Sequence, residues 1–459
     1  MISKNIINSY ILKNNNKIKI NSKDIKKNDI FLALQGSKYH GNRFISDSIK
    51  RGAKYCITDK IPRGKRNINN LLIVESVFMY LIDLSKIKRS LFKGKVIGIT
   101  GSAGKTTLKE TLFFFLNKKY KTSASIKSYN NILGVLITIL NLDINSKYAI
   151  FELGTNNFGE IRNLVSLVKP SQIFITNIQP THLETFKSKK NISEEKSDIF
   201  KKKYNENARI LYLFCTNPAE IHLHKIAKRE KLINIIKFGS SNSDYYIKKI
   251  KKIKNFYQIQ LYVNKKIIII NCNEKVIYRI NNLLFVIAFF LQNRINIDII
   301  LKNFNKLMPV SGRGKILHLK LKNHKIKFID ESYNANPDTM KQSIKYLADL
   351  KDTKYNKIII LGNMNELGEF KNKFHLEVLK FLEKYRFYKV ILCGNLFKSA
   401  LNNLSNSKNR FIYKEKSKQL FDYVNNNIHN NAILMVKCSN STEVNKFAKK
   451  FIHTKIVRS

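Results

Sequence analysis

The sequence predicts an α/β protein of three domains, and three observations carry that expectation. Its 459 residues exceed what one hydrophobic core holds, and ordinary domain size divides them into about three parts. Residues 94–101, GKVIGITG, form an apolar strand that runs directly into a Gly-rich turn and then a helix, the order found in parallel α/β sheets. After a Pro/Gly cluster at 309–314 the alternation of short apolar strands and amphipathic helices begins again, which marks a further domain.

In chain order, DIFLAL (29–34) is apolar enough for a strand, FISDSIKRGA (44–53) reads as a helix whose glycine suits a C-cap, and KYCITD (54–59) is the next strand. GKVIGITG and the helix TTLKETLFFFLNKKY (106–120) flank the Gly-rich turn. YAIFELG (148–154) and SQIFITNI (171–178) are strands separated by the helical NFGEIRNLVSLVKP (157–170). Polar loops and β segments fill 238–271, and NNLLFVIAFFL (281–291) is a helix. The last part reads as strand IKFIDESY (326–333), helix TMKQSIKYLADL (339–350), then strands KIIILGN (357–363), KVILCGN (389–395) and AILMVKC (432–438). The expected domains are a small N-terminal α/β domain (1–85), a central P-loop domain with a mostly parallel sheet (86–310) and a C-terminal Rossmann-like α/β domain (311–459).

A net charge of +52, from 84 Lys and Arg against 32 Asp and Glu, ordinarily points to nucleic acid or an anionic membrane. Here the lysines are scattered along the whole chain in company with frequent Asn and Ile, as in proteins from AT-rich genomes, so no dedicated nucleic-acid role is expected. Five cysteines, odd in number and without a C-x-x-C pair, argue against a disulfide framework and a zinc site. The longest apolar run, LLFVIAFFL (283–291), is far short of the roughly 20 residues that span a bilayer, and the N-terminus lacks the apolar stretch of a signal peptide. A cytoplasmic protein with no membrane span is expected.

The chemistry concentrates in a few segments. In Gly101-Ser102-Ala103-Gly104-Lys105-Thr106-Thr107 several backbone N–H groups converge at a helix start, where the dipole adds about half a positive charge. Lys105 can reach the β and γ phosphates of a nucleotide, and the Thr106 hydroxyl is placed for Mg²⁺. Ile99 stands where the longer G-x-x-x-x-G-K-[ST] pattern opens with glycine. Glu152 ends the strand YAIFELG, and His182 in QPTHLETF follows the next strand, at the edge where open α/β sheets bind ligands. A carboxylate and an imidazole there can hold a divalent metal near phosphates. Singly, Glu152 reads equally as a helix-facing charge and His182 as a satisfied loop residue; their shared edge with the loop favours a site. Lys196, in ISEEKSDIF, reads on physical grounds as one more surface lysine. IDESYNANPDTM (329–340) and LGNMNELGEF (361–370) are polar turns after strands, rich in amide donors and acceptors.

Together these segments resemble the Mur ligases over nearly the whole chain. TGSAGKTT (100–107) is similar to the family's short loop T-G-x-x-G-K-T, which has no glycine at the position of Ile99. FELGTNNFGEI (151–161) resembles E-L-G-x-N-x-x-G-E-I, and THLETF (181–186) resembles H-L-E-x-F. DESYNANPDTM and LGNMNELGE resemble the segments that set apart the branch using D-alanyl-D-alanine, and NSKDIKKNDIFLALQGSKYHGNRF (21–44) resembles the domain that grips a UDP substrate. The resemblance implies an ATP-dependent ligase that adds D-alanyl-D-alanine to UDP-N-acetylmuramoyl-tripeptide through an acyl phosphate. Another Mur-type or folylpolyglutamate synthetase-like amino-acid ligase is the alternative.

Carried over by position, the resemblance implies that Lys105, Glu152, His182 and Lys196 form the catalytic group. Gly101 to Thr107 would hold the ATP phosphates, Asn282 the adenine side, with Arg313 and Asp330 reaching the nucleotide from the third domain. Thr106 and Glu152 would share one Mg²⁺, while Glu152, His182 and Lys196 shape a second metal site. Lys196 matches a lysine that family members carbamylate. Substrate contacts would come from Ser22, Lys23, Gly36 and His40, from Asn130 and Asn131, and from Tyr333, Asn334 and Asn336. The domains at 1–85, 86–310 and 311–459 would take the UDP substrate, ATP and the dipeptide. Small-molecule partners and a monomer are expected. Departures from the family pattern are Val276 and Tyr278 in place of Gly-x-His, VKCSN (436–440) in place of V-K-G-S-R, Glu331 for an Asp and Asn157 for a common His.

Overall fold

The computed structural model describes residues 2–61, 69–231, 234–253, 256–273, 276–308, 310, 312–350, 354–404, 408–428 and 430–455. Pro309 and Ser311 of the expected boundary cluster lie outside them, as does the Tyr278 side chain. The chain divides into two compact units: Met1–Gly101 with Leu108–Thr176 and Glu194–Gly239, and Ser102–Thr107 with Asn177–Ser193 and Ser240–Ser459.

The first unit opens on the helix Lys4–Lys13, whose Ser3 cap accepts a hydrogen bond from the Asn5 N–H. Four parallel strands follow, in the order Ile18–Lys19, Asp29–Ala33, Ala53–Thr58 and Leu71–Ile73. Phe31, Ala33, Ile45, Cys56 and Leu71 form their core. Asn141, far along the chain, satisfies both backbone groups of Ile18, accepting from its N–H at 2.8 Å and donating to its carbonyl at 3.1 Å. Lys88 is buried, and its three ammonium protons meet the carbonyls of Ile11, Leu12 and Asn14 at 2.7, 2.9 and 2.7 Å. Burial pulls its pKa down to about 8.

A larger parallel sheet of the same unit runs in the order Asn234–Phe238, Ile210–Phe214, Gln172–Ile175, Lys95–Thr100, Tyr148–Glu152 and Thr122–Ala124. Helices such as Glu160–Val168 make the crossovers. Every residue of Tyr148–Glu152 and of Gln172–Ile175 is buried, which is why these strands read as unbroken apolar runs and not as alternating ones.

The second unit holds an antiparallel ribbon, Tyr245–Ile253, Phe256–Val263 and Lys266–Cys272. The apolar run near 285 is the helix Ile280–Gln292, buried around most of its circumference. Among the described residues no helix is long and apolar enough to cross a membrane. The last sheet runs Lys315–Leu321, His324–Glu331, Ala432–Lys437, Asn356–Gly362, Lys389–Cys393 and Phe411–Lys414, parallel except for its first strand. The final strand in sequence is inserted between His324–Glu331 and Asn356–Gly362. DESYNANPDTM, LGNMNELGE and VKCSN therefore leave three adjacent strands at one carboxyl edge, the edge at which such sheets bind ligands. The Ser439 N–H donates to Asn363 O at 3.1 Å across that edge.

Candidate active site

The strand Lys95–Thr100 ends in Gly101 at φ +140°, where a Cβ would stand 2.0 Å from Thr176 Oγ1. Gly101→Ala is expected to destabilise the protein by about 3 kcal/mol, since both the backbone and the neighbour oppose a side chain. A denaturation midpoint equal to that of the parent would contradict this.

In the second unit, residues 177–179 clamp the loop that follows. Ser102 Oγ donates to Gln179 O at 3.0 Å and accepts from the Gln179 N–H at 2.9 Å. The Ala103 N–H donates to Asn177 Oδ1 at 2.9 Å, and Asn177 Nδ2 donates back to Ala103 O at 3.3 Å. Gly104 has φ +81°, and a Cβ there would meet nothing within 4 Å, so the backbone can be approached closely at that turn. The helix Lys105–Leu116 begins at the next residue and aims its first N–H groups at the loop. A fixed, Gly-lined turn against a helix start fits a nucleotide's phosphates.

Glu152 pairs in register with Ile99 at the end of its strand, and its side chain is buried. Asn130 Nδ2 donates to Glu152 Oε1 at 2.8 Å, and the Gly154 N–H returns to Asn130 O at 2.9 Å. Asn131 Oδ1 caps the helix Ile132–Leu140 by accepting from the Gly134 N–H at 2.9 Å. The two asparagines nominated as substrate contacts thus also have structural work: one orients Glu152 and the other starts a helix. Fully buried Lys109 supports the same segment, donating to the carbonyls of Ser125 and Lys127 and pairing with Glu110 at 2.9 Å. Nothing in the sequence distinguishes Lys109 from the many other lysines.

Lys196, on the helix Lys189–Ser197, is 2% exposed, so its reading as a surface lysine is corrected by the fold. Its neighbour Glu195 is also buried and accepts from the Gly159 N–H at 2.7 Å, the Ile161 N–H at 2.9 Å and Thr155 Oγ1 at 3.1 Å. This carboxylate caps the start of Glu160–Val168, where a negative charge is favoured, and ties the Lys196 helix to the segment FELGTNNFGEI. Sequence reading missed Glu195.

In the second unit His182 has left-handed backbone, φ +51°, and its Nδ1 lies 2.7 Å from Glu366 Oε2. The Glu366 carboxyl is held below its usual range first by that hydrogen bond and then by the charges of His182 and Lys105, against the opposing effect of burial. Asn336 caps Pro337–Asp349 in a reciprocal exchange with Thr339, at 2.8 and 3.0 Å, while its Nδ2 donates to Gln179 Oε1 at 3.0 Å. Gln179 in turn holds Ser102, so the phosphate loop, the His182 loop and the segments SYNANP and NMNELGE are joined by direct hydrogen bonds.

Buried His375 secures the second of these segments. Its Nε2 accepts from the Met364 N–H at 3.0 Å, and its Nδ1 bonds Lys371 O at 2.6 Å, which fixes a neutral tautomer. Burial lowers its pKa from 6.5 to about 4. The folded state therefore binds fewer protons than the unfolded chain in this range. Its contribution, about 3 kcal/mol, is complete above pH 6.5 and lost as pH falls through 4. Denaturation series across that window should show the loss in the parent and a smaller pH dependence in His375→Asn.

The remaining nominated residues fall as follows. The Arg313 guanidinium lies 4.3 Å from the Tyr333 ring centroid, a cation–π contact. Asp330 accepts from the Gly312 N–H at 3.0 Å and from Ser332 Oγ at 2.6 Å, building the turn beneath Tyr333. Asn334 Oδ1 accepts from the Ala335 N–H at 2.9 Å, and Asn282 is half-buried near the start of its helix. Among the departures, Glu331 pairs with Lys437 at 3.0 Å, and Val276 and Cys438 are buried. In the first unit Ser22 is buried, Lys23 is exposed, and the Gly36 N–H donates to Tyr39 O at 3.0 Å. His40 accepts from the Asn42 N–H at 3.0 Å and faces Asp59 at 2.9 Å.

Of the nominated metal ligands, Thr106 and His182 belong to the second unit, Glu152 and Lys196 to the first. Among the described residues no three His, Cys, Asp or Glu form a ready-made metal cage. A hydroxyl and a carboxylate are hard oxygen donors of the kind that suit Mg²⁺ arriving with nucleotide phosphates.

Residues 99–290 match the model of the Mur ligase middle domain, and residues 312–440 that of the Mur ligase glutamate ligase domain. The UDP-N-acetylmuramoyl-tripeptide–D-alanyl-D-alanine ligase of Rickettsia prowazekii is 32% identical over 437 residues, 94% of either chain. A MurF crystal structure from Acinetobacter baumannii superposes with a TM-score of 0.78 at 23% identity, covering 95% of this chain and 93% of that one. MurF ligase from Thermotoga maritima in complex with ADP gives 0.77 at 22%, covering 96% and 97%.

Proposed function

The chain belongs to the Mur ligase family, and from that premise we infer that it is an ATP-dependent ligase joining D-alanyl-D-alanine to UDP-N-acetylmuramoyl-tripeptide. The observation that carries this reading is the extent of the similarity, 32% identity across 94% of both chains with a ligase of that name. It is supported by the hydrogen bonds that link SYNANP and NMNELGE to the phosphate loop through Gln179 and the His182 loop.

In the reaction the tripeptide's terminal carboxylate attacks the γ-phosphorus of ATP, ADP leaves, and an acyl phosphate results. The amine of D-alanyl-D-alanine then attacks the carbonyl carbon, loses a proton, and phosphate departs as the amide forms. Gly101 to Thr107 would cradle the phosphates, and the Lys105 ammonium would offset charge on the β and γ oxygens. Thr106, Glu152, His182 and Lys196 are the residues we assign to Mg²⁺, which would supply Lewis-acid stabilisation of those oxygens. Asn130 keeps the Glu152 carboxylate oriented for that role. We assign the UDP end to residues 1–85, ATP to 86–310 and the dipeptide to 311–459, in a cytoplasmic monomer.

The test is phosphate release from ATP with UDP-N-acetylmuramoyl-tripeptide and D-alanyl-D-alanine, against single amino acids, folate substrates and nucleic acid. Release should require the tripeptide and the dipeptide together. Turnover with glutamate and a folate, or with DNA or RNA alone, would replace this reading.

A further inference from the structure

The pair His182–Glu366 has a consequence for how the nucleotide's metal is held. His182 Nδ1 stands 2.7 Å from Glu366 Oε2. A carboxylate oxygen accepts, so this contact calls for a proton on Nδ1, and Nε2 is the ring nitrogen that does not face Glu366.

Both partners are fixed by their backbones, at a conformational penalty. His182 lies at φ +51° and Glu366 at φ +64°, a region that non-glycine residues rarely occupy. The Glu184 N–H donates to Glu366 O at 3.3 Å, which docks the two turns main chain to main chain. At Gly368, φ +56°, a Cβ would stand 2.8 Å from Glu184 Cα, so the turn after Glu366 must be glycine to approach this closely. Behind it, His375 holds the Met364 N–H. The Glu366 side chain is 53% exposed, and a surface ion pair contributes little by itself; the two constrained turns that hold this one in place set it apart from an incidental contact.

We propose that Glu366 is a positioning residue for the metal–nucleotide. It locks His182 in the tautomer and orientation that present Nε2 to the divalent cation, as carboxylates do behind metal-bound histidines generally. This rests on the reading of His182 as a metal ligand. Because Glu366 belongs to the segment LGNMNELGEF, the part of the chain assigned to the incoming dipeptide sets a ligand for the part assigned to ATP.

The test uses full-length protein and Mn²⁺ as the probe, with bound Mn²⁺ counted by electron paramagnetic resonance in the presence of ADP. Glu366→Gln keeps the shape of the side chain and Glu366→Ala removes it; ADP affinity without metal and the thermal midpoint report that each is folded. Both variants should bind Mn²⁺ about 10- to 100-fold more weakly, as should His182→Ala. The double variant Glu366→Ala with His182→Ala should be no weaker than His182→Ala alone, because Glu366 acts through the imidazole. Loss in His182→Ala with unchanged affinity in both Glu366 variants, or additive losses in the double variant, would overturn the positioning role alone. Unchanged Mn²⁺ affinity in His182→Ala would overturn the ligand assignment and this proposal with it.

Discussion

Lys105→Ala is expected to lower turnover by about 10³-fold, the largest effect of any single substitution in this chain. Lys105 is the first residue of the helix Lys105–Leu116, directly after the turn at Gly104. Its charge also acts on the Glu366 carboxyl. When the substrate carboxylate approaches the γ-phosphate, negative charge crowds onto a few oxygens, and a fixed cation there is worth several kcal/mol in a water-poor site. Alanine leaves the loop's backbone donors intact, so ATP binding should weaken less than turnover falls. The measurement is steady-state phosphate release at saturating ATP, with the thermal midpoint as a control for folding. A variant retaining more than about a tenth of parental turnover would be incompatible with a 10³-fold role for Lys105.

Lys196→Ala is expected to lose about 10²-fold or more of turnover and to recover part of it when formate or acetate is added. In the proposed mechanism the Lys196 ammonium takes up CO₂ and releases two protons to become a carbamate, which would present oxygen donors to a divalent cation. The side chain is buried, on a helix anchored by the three hydrogen bonds to Glu195, so truncation would leave a space whose walls stay in place. A small carboxylate entering that space restores an oxygen anion at the position of the carbamate. The same acids should leave the parent unchanged. Equal activity with and without Lys196, or loss without rescue, would remove the carbamate from the mechanism.

Much of this protein was legible because its chemistry is local. The strand, loop and helix at 94–120 are consecutive, and the heptapeptide Gly101 to Thr107 carries within itself the glycines, lysine and hydroxyl that a phosphate cradle needs. Strands buried on both faces announce themselves as apolar runs, so Tyr148–Glu152, Gln172–Ile175, Asn356–Gly362 and Ala432–Lys437 were placed to within a few residues. The helix Lys4–Lys13, with its mixture of Asn, Lys and Ile, and the edge strand Lys315–Leu321 carry no comparable signal and were not anticipated.

What lay beyond the sequence depends on contacts between distant residues. Asn336 reaches Gln179 across 157 positions, His182 meets Glu366, and Asn130, nominated as a substrate contact, also orients Glu152. Lys196 and Lys109 read like the lysines around them until the fold removes both from water, because composition reports charge and not burial. The sequence by itself determined an α/β protein with a short phosphate loop and the motifs of a Mur ligase, since each is a property of neighbouring residues. Only the tertiary structure decided which carboxylates, amides and lysines stand behind those motifs, since burial and pairing arise between residues far apart in the chain; in the last sheet, insertion of the final strand between two earlier ones brings DESYNANPDTM, LGNMNELGE and VKCSN to one edge.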